Sequence, residues 1–372
     1  MIIMALDHTR DLIHINSITD SPINLQTTTA ALFLTRWITH FCAPTFVFLS
    51  GVSAYLSFKK KNDIPGTRQF LFTRGVWLIF LEFTLITFGV WFDLHFNVFL
   101  FGVFATIGFG FIILSLLLKT STKTILIIGV AIIFLHNLSS FIPPGGTSLV
   151  SRISTMLITQ GAIPFGNGGL FIMGYPPIPW LGVMLTGFGA GRLFELPAST
   201  RKRLFLKIGL TALVLFIIVR SINVYGDSFQ WAKQKSSLFS ILSFINVTKY
   251  PPSLVFCLLT LGVMFLLLSW IEGVQNKFTE IATVYGKVPL FYFLIHWYIL
   301  HPLMFLIVFL QGYKYSDLVF GVNLGRPMGI SGVNLWYTYL IWALVVIALY
   351  PVCKWYGKYK ESHREKKWLQ YL

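Results

Sequence analysis

Charge is the scarcest property of this chain. Only 11% of its 372 residues are Asp, Glu, Lys or Arg, where about 25% is usual. Acidic residues are the rarer kind, 13 against 29 Lys and Arg, which leaves a net charge of +16. A water-soluble protein of this length needs a charged surface, so a soluble fold is excluded. Cysteine is nearly absent as well. Cys42, Cys257 and Cys353 each lie in or beside an apolar stretch, and they make no spacing of a disulfide framework or a zinc site. No two histidines stand four apart on one helix, so no metal is expected. No leader-peptide cleavage pattern, internal repeat or low-complexity tract stands out.

Apolar residues fill the chain instead. They make up 55% of it, 17% is aromatic, and the mean hydropathy is +0.73. A bilayer admits two spanning solutions, helices or a closed barrel. The apolar runs here are about 18–24 residues long and do not alternate, so they read as helices. The fold class is all-α: a polytopic integral membrane helical bundle of about ten transmembrane helices. They are expected near 1–14, 28–58, 74–92, 98–118, 124–139, 175–195, 205–224, 253–271, 288–311 and 335–353. A short interfacial helix is expected over 238–247. Residues 140–174, with Pro143-Pro144-Gly145-Gly146 and Gly166-Asn167-Gly168-Gly169, read as a long outer loop.

The basic residues divide these segments consistently. Lys59-Lys60-Lys61, Arg68 and Arg74 follow the second helix, Lys119 and Lys123 the fourth, and Arg192, Arg201, Lys202, Arg203 and Lys207 the sixth. Lys277 and Lys287 precede the ninth, and the tail from Lys354 is basic. All of these fall on one side, which the positive-inside rule makes cytoplasmic. The charge therefore needs no nucleic-acid partner; membrane lipids are the expected surroundings. Residues 1–353 form a single transmembrane domain and 354–372 a basic cytoplasmic tail. The first helix has only six residues before Asp7, too few for a span. The expectation is that it is truncated at Met1.

That first segment carries the most polar stretch at membrane depth, Asp7-His8-Thr9-Arg10-Asp11, with His14 just beyond. Buried charge in a bilayer costs at least a few kcal/mol, so it is kept for pairing, for a pathway or for chemistry. At helical spacing Asp7, Asp11 and His14 share a face, and His8 and Asp11 are three apart. A histidine among carboxylates can serve as a base near neutral pH. The competing reading is a helix end that simply reaches water. Counting about 1.5 Å per residue, His8, Arg36, His40, Glu82 and His296 all fall near the middle third of a core about 30 Å thick. Tyr292 lies one turn below His296 on the same face. Scattered structural polar groups would have no reason to meet at one level. Each has a bland alternative: Glu82 as the partner of an arginine such as Arg36, Arg74 as a topology signal, and Trp180 as part of an aromatic belt. The cluster suits acyl transfer through a general base or an acyl-histidine, and it also suits a proton-coupled carrier.

Four strings carry a resemblance: residues 5–11 (ALDHTRD), 35–51 (TRWITHFCAPTFVFLSG), 175–184 (YPPIPWLGVM) and 286–296 (GKVPLFYFLIH). In order and spacing they resemble bacterial membrane proteins grouped with the catalytic domain of heparan-α-glucosaminide N-acetyltransferase, within the wider transmembrane acyltransferases. The resemblance implies a multi-pass protein of the bacterial plasma (inner) membrane. It would pass an acetyl group from cytosolic acetyl-CoA to an envelope glycan or lipid-linked sugar on the far side. In the wider group the first helix carries an arginine about three turns before a catalytic histidine. His8 matches that histidine, and the arginine would fall before Met1, which is why a truncated start is expected. The lysosomal enzyme has asparagine at the position of His8 and its active-site histidine in the following loop, where His14 is the nearest here. The expected catalytic set is therefore His8, Asp7, Asp11 and His14. The expected substrate-binding set is Arg36, His40, Arg74, Glu82, Tyr175, Trp180, Arg192, Tyr292 and His296, with Arg36, Arg74 and Arg192 toward the donor and Tyr175 and Trp180 for stacking. The alternative function is a proton-coupled carrier of a small sugar, lipid or anion; a third is a non-catalytic partner in envelope assembly. The acceptor and the oligomeric state, a homodimer included, stay open.

Overall fold

The computed structural model describes residues 1–15, 17–141, 149–166 and 168–371. It is an all-α multi-pass membrane protein. Each of the ten expected segments contains helix, although Val98–Phe101 at the start of the fourth is a strand, and among the described residues seven helices are long and apolar enough to cross a bilayer. These are α2 (Ala30–Lys61), α3 (Ile64–Trp91), α5 (Thr122–Ser139), α8 (Ala198–Ile222), α10 (Leu254–Ile271), α12 (Pro289–Leu310) and α13 (Leu335–Ser362). α1 (Ile2–Ile13), α4 (Val103–Leu117) and α7 (Pro177–Ala190) are shorter. Three small helices complete the set: α6 (Leu149–Leu157), α9 (Ser237–Ile245) and α11 (Lys277–Gly286).

The chain falls into two compact units that interleave in sequence. Unit 1 is Met1–Cys42, Thr84–Val98 and Val274–Leu372; unit 2 is Ala43–Phe83 and Phe99–Gly273. In unit 1, α1 packs on α12 and α13, and the Trp342 indole N–H donates to the Ile2 carbonyl at 2.9 Å. In unit 2, α3 packs on α4, α5 on α7, and α8 on α10. Gly75 and Gly108 set the first of these crossings. A Cβ on either would come within 2.5 Å of the other's carbonyl oxygen, so only glycine lets the backbones approach this closely. α7 is buried around most of its circumference, as an all-round apolar helix must be. α8 instead turns Leu206, Leu210, Val214, Ile217 and Ile218 outward, a face suited to lipid.

Local chemistry explains where the elements depart from the hydropathy reading. α3 begins at Ile64 rather than Arg74, because Asp63 caps it by accepting from the Gly66 N–H at 3.1 Å and Pro65 suits the first turn. α2 tightens to a 3-10 turn over Thr39–Phe41, just where Pro44 removes the donor that the His40 carbonyl would use. α13 continues nine residues past Cys353, because Cys353 and Tyr356 stay buried and Phe291 stacks on Tyr356 at 3.9 Å. The long outer loop is not all loop. β2 (Gly161–Phe165) and β3 (Gly169–Met173) pair antiparallel, and β1 (Val98–Phe101) adds to β3. Pro143 to Gly146 and Asn167 lie outside the described residues. The expected interfacial helix is present as α9.

Candidate functional site

The polar stretch of α1 sorts into two layers. The first is a chain of charges. The Arg10 Nη2 donates to Asp7 Oδ1 at 2.8 Å and to Asp11 Oδ1 at 2.6 Å. Arg36, arriving on α2, donates from Nη1 to Asp7 Oδ2 at 3.0 Å and to Thr39 Oγ1 at 2.8 Å. Asp7 and Arg10 are both buried. Two carboxylates and two guanidiniums thus neutralise one another, which is what makes their burial tolerable. Both aspartates pair with arginines, Arg10 sitting three residues from one and next to the other on the same helix.

The second layer is a histidine pair. His8 Nδ1 lies 2.6 Å from Nε2 of His296, which is fully buried on α12. The His296 Nδ1 is 3.1 Å from the Tyr292 carbonyl oxygen. A carbonyl only accepts, so Nδ1 of His296 carries the hydrogen and its Nε2 offers a lone pair. His8 Nδ1–H then donates to that lone pair, and the basic atom of His8 is Nε2. The His8 ring stacks on Trp297 at 4.4 Å between centroids and meets Phe293 edge-on at 5.7 Å. Tyr292 stacks on His296 at 5.7 Å. Two aromatic rings and one hydrogen bond therefore fix the orientation of His8. A base held by a hydrogen bond to its second nitrogen is the usual arrangement of an activated acid–base histidine.

His14 closes the helix: its N–H still donates to the Arg10 carbonyl at 3.1 Å. The helix ends at Ile13, and His14 turns to extended backbone and bridges Val333. Arg326, from the loop before α13, draws the chain out by donating from Nη1 to the His14 carbonyl at 2.8 Å and to Ser17 Oγ at 2.6 Å. Burial, with the charges of Arg10 and Arg326, pushes His14 down to about 4. His40 is buried in the 3-10 turn of α2.

The other expected residues belong to unit 2. Glu82 is buried at a π-turn in α3 and accepts from the Ala105 N–H at 2.8 Å, so it caps the start of α4. A Cβ on Gly102 would come within 2.5 Å of its carboxylate, so the loop before α4 needs a glycine there. The Tyr175 and Trp180 rings lie 5.2 Å apart. Arg74 is half-buried beside Phe70, and Arg192 is exposed after α7. Sequence reasoning did not single out Trp297, Arg326 or Lys249 for the site. Lys249 is buried, with its ammonium 4.9 Å from the Tyr250 ring and 5.8 Å from that of Tyr175. Trp297 follows His296 and was findable on that ground. Arg326 and Lys249 lie in loops, where nothing periodic marks them.

These features define a class: a multi-pass helical membrane protein with an oriented histidine pair, a half-buried His8 on α1 and a buried His296 on α12. The family model described as heparan-alpha-glucosaminide N-acetyltransferase, catalytic, matches residues 1–226. That is more than half of the chain, and the chain belongs to this family of transmembrane acetyltransferases. His8, Arg36 and Trp180 lie inside the matched region and His296 beyond it. No curated protein and no solved structure matches the chain. No group of three or more His, Cys, Asp or Glu able to hold a metal occurs among the described residues.

Proposed function

We propose that this protein takes an acetyl group from cytosolic acetyl-CoA and transfers it across the bacterial plasma membrane to an amino or hydroxyl group of an envelope sugar. The observation that carries the reading is the 2.6 Å bond between His8 and His296, with the second nitrogen of His296 tied to a carbonyl. It leaves His8 Nε2 as a base of fixed direction. The acceptor's amine or hydroxyl attacks the thioester carbonyl while His8 Nε2 takes its proton. The carbon–sulfur bond then breaks, and the proton passes from Nε2 to the departing thiolate. Throughout, His8 Nδ1–H stays hydrogen-bonded to His296, which steadies the imidazolium as it forms. The Asp7–Arg10–Asp11–Arg36 chain holds α1 against α2 and so positions His8 without taking part.

The test uses radiolabelled acetyl-CoA with purified protein in detergent and extracted envelope sugars. Label should appear on the sugar fraction. His8→Ala should lower the rate at least about a hundredfold, the low end of what a general base contributes. Normal transfer by His8→Ala would remove His8 from the mechanism. Absence of transfer, together with uptake of sugar into liposomes that hold no acyl-CoA, would establish the carrier reading instead.

A further inference from the structure

We propose that the C-terminal end of unit 1 builds a separate pocket for a phosphate-bearing anion, with the basic tail as one of its walls. A cavity of about 400 Å³ lies where the junction of α11 and α12 meets the last turns of α13 and the segment after it. Its lining holds four cations, Lys287, Lys360, Arg364 and Lys366, and one carboxylate, Glu361. Val288 and Leu369, 0% and 2% exposed, supply an apolar floor.

Charges placed only to set membrane topology need no cavity and no fixed geometry. These have both. Lys287 Nζ is 2.8 Å from Glu361 Oε1, which ties the α11–α12 junction to α13. Lys366 Nζ donates to the Tyr359 hydroxyl at 2.8 Å and lies 5.1 Å over its ring, which folds the tail back beside α13. Cations also suit the C-terminal end of a helix, but Lys287 and Lys366 are not on α13, so the helix dipole does not explain the set. Among the described lining residues four cations stand against one carboxylate, around a cavity of a size typical for small organic ligands. A bare inorganic ion would leave most of it unfilled. A nucleotide phosphate or an anionic lipid headgroup matches both the charge and the apolar floor.

Position favours the nucleotide end of the acyl donor, a choice that rests on the proposed acetyl transfer. Val288, Tyr292 and His296 follow one another at four-residue steps, so the pocket floor and the histidine pair lie about 12 Å apart along α12. Tyr292, between them, is fully buried and its hydroxyl has no hydrogen-bond partner among the described residues.

The experiment titrates the full-length protein, in phosphatidylcholine nanodiscs, with coenzyme A and with 3′-dephospho-coenzyme A. A parallel series measures retention of phosphatidylglycerol by native mass spectrometry. Lys360→Gln and Arg364→Gln should each weaken coenzyme A binding roughly tenfold. Gly357→Leu keeps every charge but fills the cavity, and it should abolish binding; the Cβ it adds meets Val288 only at an ordinary 3.9 Å. Lys59→Gln with Lys60→Gln, exposed and outside the lining, should leave binding unchanged. Loss of phosphatidylglycerol retention in the same pocket variants, with coenzyme A binding unmoved, would keep the pocket and name lipid as its occupant. If the pocket variants change neither ligand, or if the Lys59/Lys60 control changes them as much, the proposal is overturned. Coenzyme A binding that depends on the pocket in a protein that transfers no acetyl group would leave this pocket standing and remove the transferase reading.

Discussion

Neutralising Asp7 tests the claim that the charge chain of α1 is a single cooperative unit. Asp7→Asn keeps the shape of the side chain and removes its charge. The side chains of Asp7, Arg10 and Arg36 are 12%, 3% and 14% exposed, so these charges are largely shielded from water. Removing one partner of a buried ion pair costs roughly 3–5 kcal/mol, because the other charge is stranded. Here Asp11 still accepts from Arg10, and its own side chain is 44% exposed. Arg36 therefore loses the Asp7 carboxylate, and it keeps Thr39 as a hydrogen-bond acceptor. That places the expected loss near the low end, about 3 kcal/mol. Arg36→Gln should cost less, about 1–2 kcal/mol, since Asp7 retains Arg10. In the double variant no charge is stranded, so its cost should fall below the sum of the singles by about 2 kcal/mol. Unfolding of all four proteins in mixed micelles, followed by tryptophan fluorescence, measures the cycle. Additivity within about 0.5 kcal/mol would refute the coupled chain.

Three further outcomes follow from the geometry. His296→Gln should reduce acetyl transfer severalfold to tenfold, and less than His8→Ala, with little change in apparent donor affinity; a loss seen only as raised KM would place His296 in binding rather than in orienting the base. Glu82→Leu removes the acceptor for the Ala105 N–H and should lower thermal stability by about 1–3 kcal/mol, whereas Glu82→Gln retains an acceptor oxygen and should recover most of it. His14 is neutral in the folded chain down to about 4, while an unfolded histidine takes its proton near 6.5. The unfolded state thus binds more protons between those values, and its contribution to stability is full above about pH 6.5 and is lost as pH falls toward 4, by at most about 3 kcal/mol. His14→Gln should flatten the stability profile in that window; an unchanged slope would show that His14 does not titrate on unfolding.

Hydropathy found the stretches that form the seven long apolar helices among the described residues, because a bilayer demands a continuous apolar stretch and the sequence cannot disguise one. It located ends less well, since caps decide those: Asp63 starts α3 ten residues before the apolar run that Arg74 was expected to open. The strand pair over 161–173 was hidden by the glycines and prolines around it. Depth was legible too. Counting residues along separate helices set His8 and His296 at one level, and they lie 2.6 Å apart. Direction around each helix was not legible. Asp7 and Arg36 were placed in different roles and turn out to be partners, because which faces of α1 and α2 meet depends on packing that no single helix encodes.

The same distinction explains why the two layers of the site differ in kind. The charge chain is assembled mostly from near neighbours, Asp7, Arg10 and Asp11, with Arg36 as its one distant member. It forms as soon as α1 and α2 meet and brings its members to neutrality, so it has little chemistry left to offer. The histidine pair joins positions 288 residues apart, and only the docking of α1 on α12 creates it. Its two rings share one hydrogen bond, and in the proposed mechanism a proton taken by His8 Nε2 is stabilised by that bond without any rearrangement. A histidine bonded to a carboxylate would be held nearer to its charged form. In the proposed mechanism, pairing His8 with an imidazole while Asp7 and Asp11 bind arginines leaves His8 Nε2 to accept a proton. That is the property a general base needs, and it depends on the arginines as much as on the histidines.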